Sequence, residues 1–324
     1  MARSTQRLTA GVDVGGTKIQ AVVLRAQEVA GSARLETPQS GADAVIAAIV
    51  DSVKASIASA GARTADLAGI GIGSPGTVDG AAGTVGHSPN VPGFETDPVS
   101  VGPVVAKALG GVDVKVDNDV RVAILGEWKR GAGRPYSDML GVFVGTGVGG
   151  GLVLEGELRE GRGAAGEIGH TTVKDGGRRC GCGKRGCLEA YAGRARMEVK
   201  ARSEHYDKGR PTDLFKFMRK RGRDRVTSGT IADALEHGDK LTTDLIDEAV
   251  WALGLALANA QNLLDMEAII VGGGLGDRLG EPFVRRVEAA ARPHLHVPER
   301  PPVFLPTELG DLSGAVGAAV LADG

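Results

Sequence analysis

The residues best suited to bind a metal are three cysteines and a histidine that lie close together in the sequence. They follow the pattern His-x₉-Cys-x-Cys-x₄-Cys, at His170, Cys180, Cys182 and Cys187. One imidazole and three thiolates can complete the tetrahedral shell of Zn²⁺, and four protein ligands leave no open position for catalysis. The spacing therefore predicts a structural zinc site, with three buried or reactive free thiols as the alternative.

Two glutamates flank these predicted ligands. Glu167 lies three residues before His170, and Glu189 lies two residues after Cys187. A carboxylate held in place by a metal site can accept hydrogen bonds from two neighbouring hydroxyls, as on a sugar ring. We therefore expect both glutamates to bind hydroxyl groups, with ordinary surface charge as the alternative for each.

Two glycine-rich turns between predicted strands are typical of phosphate-binding segments. Glycine lets backbone amides approach a phosphate because no Cβ intervenes, and a threonine adds a hydroxyl donor. Asp13 is placed to hold Mg²⁺ beside the first turn. The predicted phosphate-binding residues are Asp13, Gly15, Gly16, Thr17 and Lys18 in the first turn and Gly145, Thr146 and Gly147 in the second. An ordinary glycine hairpin is the alternative.

The second turn also contains the pattern Gly-x-Gly-x-x-Gly, which occurs in dinucleotide-binding proteins. Those proteins need a helix after the pattern, whereas a strand is predicted here, so nicotinamide or flavin binding is disfavoured. A third cluster, with Gly273 and Gly274, follows a predicted strand and precedes a helix. It suits packing against the base or ribose of a nucleotide, or it is simply a tight turn.

Asp119 is the candidate general base. It follows a predicted strand and begins a predicted helix, and catalytic groups of α/β proteins tend to lie at such strand ends. When a γ-phosphoryl group moves to an alcohol, a carboxylate accepts the hydroxyl proton while Mg²⁺ and backbone donors steady the phosphates. Capping of the helix is the alternative role for Asp119.

Strands and helices alternate along the chain, which predicts an α/β architecture with largely parallel sheets. Strands are predicted at residues 8–14, 68–73, 112–117, 138–144, 151–155 and 268–271, with a further one ending at residue 24. Helices are predicted at residues 42–60, 98–109, 120–129, 243–264 and 312–322.

A shift of 130 residues lays residues 11–24 on residues 141–154 without a gap, with identical residues at six positions. The repeat predicts two related domains whose glycine turns face each other across a cleft; chance similarity is the alternative, because Gly and Val are common here. We place the first domain at residues 1–117 and the second, with the zinc motif, at residues 118–309.

Composition argues against several classes of protein. The 324 residues carry a formal charge of −2 and only 3% aromatic side chains, so nucleic-acid binding is not expected. The basic run at residues 216–225 is predicted to be a solvated helix end or loop, anchored by Phe215 and Phe217. The longest uncharged stretches have 16 residues, short of the about 20 that a membrane helix needs. Without a signal-peptide pattern in residues 1–8, a cytoplasmic protein is expected.

Seven short segments, taken in their order along the chain, resemble the ROK family (repressors, open reading frames of unknown function and sugar kinases). The resemblance is to its bacterial ATP-dependent glucokinases in particular. The matching segments are residues 13–18, 88–90, 117–119, 145–151, 166–170, 180–189 and 271–274. The resemblance implies an actin-like (ribonuclease H-like) two-domain fold with a sugar between the domains and a last helix, about residues 310–324, that packs on the first. It also implies ATP, Mg²⁺ and structural Zn²⁺, and a homodimer or homotetramer.

The resemblance further implies roles for individual residues. Asp119 would activate the 6-hydroxyl of glucose. The sugar hydroxyls would be held by Asn90, Asn118, Asp119, Glu167, His170 and Glu189. Val120 and Arg121 stand where many relatives have Ala-Asn, and residues 92–94 replace a common tryptophan-containing stretch. N-acetylglucosamine, N-acetylmannosamine, mannose or fructose are alternative sugars, polyphosphate is an alternative donor, and a non-catalytic sugar sensor is an alternative function.

Overall fold

The computed structural model describes residues 7–323 and divides the chain into two compact units. Residues 1–6, within the segment that shows no signal-peptide pattern, and residue 324 lie outside the described part. The first unit contains the described residues up to Arg134 and those from Asp311 onward, and the second contains Pro135–Gly310. The first unit therefore extends past residue 117, where we expected the first domain to end.

Thirteen strands and ten α-helices are formed by the described residues. The strands are β1 (Leu8–Val14), β2 (Lys18–Arg25), β3 (Glu28–Glu36), β4 (Leu67–Ser74), β5 (Thr77–Asp79), β6 (Thr84–Gly86), β7 (Val99–Ser100), β8 (Val114–Asn118), β9 (Met139–Val144), β10 (Val148–Leu154), β11 (Glu157–Arg159), β12 (Ala268–Gly272) and β13 (Val303–Pro306). The helices are α1 (Ala42–Ser59), α2 (Val101–Ala108), α3 (Asp119–Arg130), α4 (Glu189–Ala192), α5 (Arg194–Arg202), α6 (Leu214–Lys220), α7 (Ser228–Glu236), α8 (Lys240–Leu264), α9 (Gly273–Ala291) and α10 (Ser313–Asp323).

Each unit contains a five-stranded sheet with the same strand order. The order is β3-β2-β1-β4-β8 in the first unit and β11-β10-β9-β12-β13 in the second. In both sheets the first three strands in chain order pair antiparallel and the last two join in parallel. The sheets are thus mixed, and the expectation of largely parallel sheets is wrong, because each glycine turn joins its two strands as a hairpin. A small antiparallel sheet of β5, β6 and β7 completes the first unit.

The two glycine hairpins predicted from the repeat are present, but they differ in length by one residue. Val14 pairs with Ile19 in the first hairpin, whereas Val144 pairs with Val148 in the second. Four residues therefore separate the paired positions in the first turn and three in the second. The ungapped repeat is consequently out of register by one residue along its second strand.

Helices cover both faces of the sheet in the first unit. On one face, Val12 and Ile72 are buried in a hydrophobic cluster with Ile49 of α1. On the other face, a Cβ at Gly71 would lie 1.8 Å from the carbonyl oxygen of Ala318 in α10. Glycine in these strands therefore lets the backbone of α10 lie directly on the sheet.

Close packing of α10 against α3 explains why the first unit extends to Arg134. A Cβ at Gly317 of α10 would lie 1.6 Å from the carbonyl oxygen of Val122 in α3. At the end of α3, the fully buried carboxylate of Glu127 accepts a hydrogen bond from the Ser313 hydroxyl at 2.6 Å. Helix α3, which follows the predicted boundary, is thereby packed into the first unit.

In the second unit the core surrounds α8, the longest helix. Cys180, Cys187 and Tyr191 belong to the same hydrophobic cluster as Leu253 of α8, so the cysteine-rich segment packs on this core. The basic run begins within α6, and the predicted burial of Phe215 and Phe217 is confirmed. No helix formed by residues 7–323 is long and apolar enough to cross a membrane.

Candidate functional site

The four predicted metal ligands come together in the second unit. Their ligand atoms all lie within 4.8 Å of one another. The Cys182 and Cys187 sulfurs are 3.8 Å apart, and the Cys180 sulfur is 3.8 Å from Nδ1 of His170. Two thiolates at about 2.3 Å from a tetrahedral zinc are separated by about 3.8 Å, whereas disulfide sulfurs are about 2.05 Å apart. The cluster therefore fits a four-coordinate cation and does not form a disulfide.

Tight turns bring these ligands together. The Cys180 amide donates to the Lys184 carbonyl at 2.8 Å, and Gly183 and Gly186 adopt positive φ angles of 88° and 85°. Burial raises the pKa of the Cys180 thiol to about 12. A divalent cation offsets this effect because it stabilises the thiolate, so the buried thiols suit a bound metal.

Glu189 connects the metal cluster to the second glycine turn, a contact that the sequence did not reveal. It begins α4 two residues after Cys187, and its Oε1 lies 3.4 Å from the Cys180 sulfur, which donates to it only while the thiol is protonated. Its Oε2 accepts from the Val148 amide at 3.2 Å, and a Cβ at Gly147 would lie 2.4 Å from this oxygen. The carboxylate is therefore held by both segments at once.

Glu167 has a different environment from Glu189. It is exposed and precedes a single 3₁₀ turn, Ile168–His170. Its carbonyl accepts from the His170 amide at 3.0 Å, which ties the residue to the metal cluster through the backbone. In residues 7–323 its carboxylate has no hydrogen-bond donor, so it is available to a ligand.

The second glycine turn presents unpaired amides. The first amides of α5, those of Arg194 and Ala195, donate to the carbonyls of Gly145 and Thr146 at 3.1 and 3.0 Å. The amides of Thr146 and Gly147 have no acceptor among the residues that the structure describes. A turn that is fixed through its carbonyls and offers its amides suits an anion.

Arg194 is a residue of this site that sequence reasoning missed, because no motif or spacing marks it. Its Nη2 donates to Oγ1 of Thr146 at 2.8 Å, and its Nη1 donates to Oγ of Ser228 at 3.2 Å. A Cβ at Gly274 would lie 4.0 Å from the same Nη1. The structure therefore brings the second turn and the third glycine cluster together. Gly273 has a φ of 80° and makes the tight strand-to-helix turn into α9.

In the first unit, the first glycine turn lies against Asn90. The Gly15 amide donates to the Lys18 carbonyl at 2.9 Å, which closes the turn. A Cβ at Gly16 would lie 2.0 Å from the Asn90 carbonyl oxygen. Within the described part of the chain, the amides of Gly16 and Thr17 have no acceptor, so this turn too can bind an anion.

Acidic residues surround the end of β1, beside this turn. Burial raises the pKa of Asp13 to about 7, and the negative charges of Asp119 and Asp311 act in the same direction. Lys18, whose Nζ lies 3.0 Å from Asp311, partly offsets them. Carboxylates that disfavour one another's ionisation suit a divalent cation.

The start of α3 is capped by Asn118 and not by Asp119. Oδ1 of Asn118 accepts from the amides of Val120 and Arg121 at 3.0 and 3.3 Å. The capping alternative for Asp119 is therefore wrong. Asp117, which is 8% exposed, accepts from Nε of Arg121 at 2.7 Å, so the arginine that departs from the family pattern is paired one turn along the helix.

Comparison with known proteins agrees with the architecture. The chain is 34% identical over 327 residues to a glucokinase of Halalkalibacterium halodurans, covering 98% of this chain and 95% of that protein. It is 31% identical over 329 residues to an N-acetylgalactosamine kinase of Shewanella sp. strain ANA-3, covering 97% and 96%. The ROK family glucokinase of Streptomyces griseus, solved with glucose and AMPPNP, is 33% identical with a TM-score of 0.79, covering 98% of this chain and 99% of that one.

These similarities span both units and confirm the predicted actin-like α/β fold. The sequence profile of the ROK family matches residues 9–324, which include both glycine turns and the cysteine-histidine cluster. Since the match covers almost the whole chain and the relatives align over nearly their full lengths, the protein belongs to the ROK family.

Proposed function

We propose that the protein is a hexose kinase that transfers the γ-phosphoryl group of ATP to the 6-hydroxyl of glucose. The observation that carries the proposal is a glycine turn with unpaired amides in each of two similarly ordered units. The similarity to two glucokinases over nearly the whole chain supports the choice of sugar and donor.

The donor is held by backbone groups in this proposal. The first turn (Asp13, Gly15, Gly16, Thr17 and Lys18) and the second (Gly145, Thr146 and Gly147) bind its phosphates, and Gly273 and Gly274 pack on the nucleoside. Asp13 suits Mg²⁺, which would neutralise charge on the phosphates.

Asp119 acts as the general base on the acceptor. Its carboxylate takes the proton of the 6-hydroxyl as that oxygen bonds to the γ-phosphorus and the bond to ADP breaks. Asn90, Asn118, Glu167, His170 and Glu189 bind the other hydroxyls of the sugar. The exposed carboxylate of Glu167 supports this assignment, since it has no donor within residues 7–323.

The cysteine-histidine cluster binds Zn²⁺ in a structural role. His170, Cys180, Cys182 and Cys187 fill its coordination shell, and the Cys182–Cys187 sulfur separation of 3.8 Å supports tetrahedral coordination. The metal keeps His170 and Glu189 in place for the sugar. A homodimer or homotetramer, working in the cytoplasm, completes the proposal, and sedimentation equilibrium tests the oligomeric state.

The choice among hexoses is the least constrained part of the proposal. A relative that is named an N-acetylgalactosamine kinase is 31% identical to this chain, close to the 34% of the glucokinase. A coupled assay with glucose, N-acetylglucosamine, N-acetylmannosamine, mannose and fructose, each with ATP or polyphosphate, separates these possibilities. If glucose raises the melting temperature but no sugar is phosphorylated by either donor, the result would support a non-catalytic sensor instead.

The role of Asp119 is tested by replacing it with asparagine. Asp119→Asn should lower kcat by about a thousandfold, since the proton acceptor is lost. Glucose affinity, measured by calorimetry, should stay within about threefold, because the amide retains most hydrogen-bonding capacity. Asp97→Asn, an exposed substitution in the same unit, is the matched control. A kcat near the wild-type value for Asp119→Asn would refute the assignment.

A further inference from the structure

Helix α5 carries two charged side chains one turn apart on the same face, Arg194 and Glu198. Glu198 is 7% exposed, and its Oε2 accepts from the Val226 amide at 3.0 Å. This bond holds the segment before α7 against α5. Ser228, the first residue of α7, is thereby placed within hydrogen-bond distance of Arg194.

The guanidinium of Arg194 has no ion-pair partner, and the carboxylate of Glu198 offsets its charge only in part. Its two described partners, Thr146 and Ser228, are neutral hydroxyls, and it forms no ion pair with a carboxylate of residues 7–323. The side chain is half-buried. A partly desolvated cation with neutral partners is unfavourable unless an anion joins it.

A second cation lies in the same neighbourhood. Arg225 is exposed and has no acceptor among the described residues. Burial first, and then the positive charge of Arg225, lower the pKa of Arg194, while the carboxylate of Glu198 partly opposes them. Two guanidinium groups that repel each other beside a turn with unpaired amides favour a ligand with several negative charges.

We propose that Arg194, assisted by Arg225, binds the phosphate groups of the nucleoside triphosphate donor. This inference rests on the proposed kinase function. Arg194 reaches Thr146 of the phosphate-binding turn on one side and the neighbourhood of Gly274, assigned to the nucleoside, on the other. Arg194 therefore contacts the phosphates that remain on the nucleoside diphosphate product, and not only the γ-phosphoryl group that is transferred.

Kinetics of Arg194→Ala test the proposal. The KM for MgATP should rise about tenfold or more, the usual effect of losing hydrogen bonds to a charged group. The kcat and the KM for glucose should change by less than about threefold, because the guanidinium does not touch the acceptor. MgADP should lose as much affinity as MgATP in calorimetry, since both carry the contacted phosphates. The KM of Arg194→Lys for MgATP should lie between those of the wild type and Arg194→Ala, because an ammonium keeps the charge but cannot span both hydroxyls.

Two further measurements separate phosphate binding from a structural role of Arg194. Adenosine, which has no phosphate, should inhibit the variant and the wild type equally. Arg225→Ala, which breaks no hydrogen bond in the described part of the chain, should raise the KM for MgATP by about threefold with an unchanged melting temperature. Arg219→Ala removes an exposed charge from the same basic run and serves as the control.

The outcomes distinguish this inference from the proposed function. A wild-type protein that phosphorylates no sugar with ATP would refute the kinase function itself. An active wild type whose Arg194→Ala variant keeps the wild-type KM for MgATP would overturn the role of Arg194 alone. Equal weakening of adenosine and ATP would also overturn it, because the loss would then come from a distorted turn.

Discussion

At Asp13, burial and two neighbouring carboxylates act together against ionisation. The pKa of this residue is about 7 in the folded protein, against 3.8 for a free side chain. The folded state therefore holds the proton more tightly than the unfolded state. Stability falls as the pH rises from 3.8 towards 7, and the full loss is present above 7. The Mg²⁺ proposed to bind here would favour the ionised carboxylate and oppose this effect.

Asp13→Asn should remove this pH dependence. Near pH 8 and without Mg²⁺ or nucleotide, the variant should be more stable than the wild type by about 2 kcal/mol. That figure is half of the roughly 4 kcal/mol that the full shift represents, because the side chain is partly exposed. The difference should shrink towards zero well below pH 3.8, where Asp13 is neutral in both the folded and the unfolded state. Urea unfolding at several pH values measures it, and a difference that is constant with pH would contradict the electrostatic cause.

Residue-scale predictions from sequence succeed where the chemistry lies within a short segment. His170 and the three cysteines are recognisable because their side-chain types and local spacing suffice to define a tetrahedral set. Arg194 and Ser228 are 34 residues apart in the chain, and Glu189 is 41 residues from Val148. No local sequence pattern predicts such contacts, because they form only when α4 and α5 pack against the turn between β9 and β10.

Among the elements, we expect the cysteine-rich segment to depend most on the proposed zinc. Apart from isolated bridges such as Thr172 with Cys187, residues 171–188 form no regular strand or helix. Glu189 follows this segment two residues after Cys187, and its carboxylate accepts a hydrogen bond from the Val148 amide of the second glycine turn. Loss of the proposed zinc should therefore disturb the second glycine turn as well as the residues proposed to bind the sugar.

Metal analysis should find about one zinc per chain in active protein. Chelation, or the substitution Cys182→Ser, should raise the KM for glucose and the KM for MgATP together, because Glu189 links the cluster to the turn. As the control, adding Zn²⁺ to the chelated protein should restore both KM values, and adding Mg²⁺ should not. Active, folded protein without any metal would refute the zinc site, and a change in the glucose KM alone would refute the link through Glu189.

The elements that sequence reasoning located are those with strong local signals. Helix α8 has 25 residues with a periodic buried face, and β12 is buried throughout. The missed strand β3, EVAGSARLE, has a single buried residue and is recognisable only by its pairing with β2. Helix α5, RARMEVKAR, is so highly charged that its sequence resembles a surface loop, and packing of its few buried residues decides its structure.

At the scale of the whole molecule, the last helix, α10, belongs to the first unit. The sequence predicts the terminal helix, but its position on the first unit follows only from the family resemblance. The glycines show how the placement is achieved. Gly11 and Gly71 lie inside strands, where a Cβ would approach the backbone of α10 to 2.0 and 1.8 Å. The glycine-rich composition thus serves helix-on-sheet packing as well as the turns proposed to bind phosphate.

Gly71→Ala tests this packing, because the new methyl group would require α10 to move away from β4. Atoms at such contacts need about 3 Å, so Ala318 must shift by more than about 1 Å, and the first unit should lose about 2 kcal/mol. Hydrogen–deuterium exchange should accelerate in peptides from β1, β4 and α10, while peptides from β9 and β12 keep their protection. Gly276→Ala in α9 is the matched control, since its Cβ would be 3.7 Å from the nearest atom and alanine favours helix. Unchanged exchange in Gly71→Ala would mean that α10 does not rest on β4 in solution, and the last residues of the chain would then not complete its first unit.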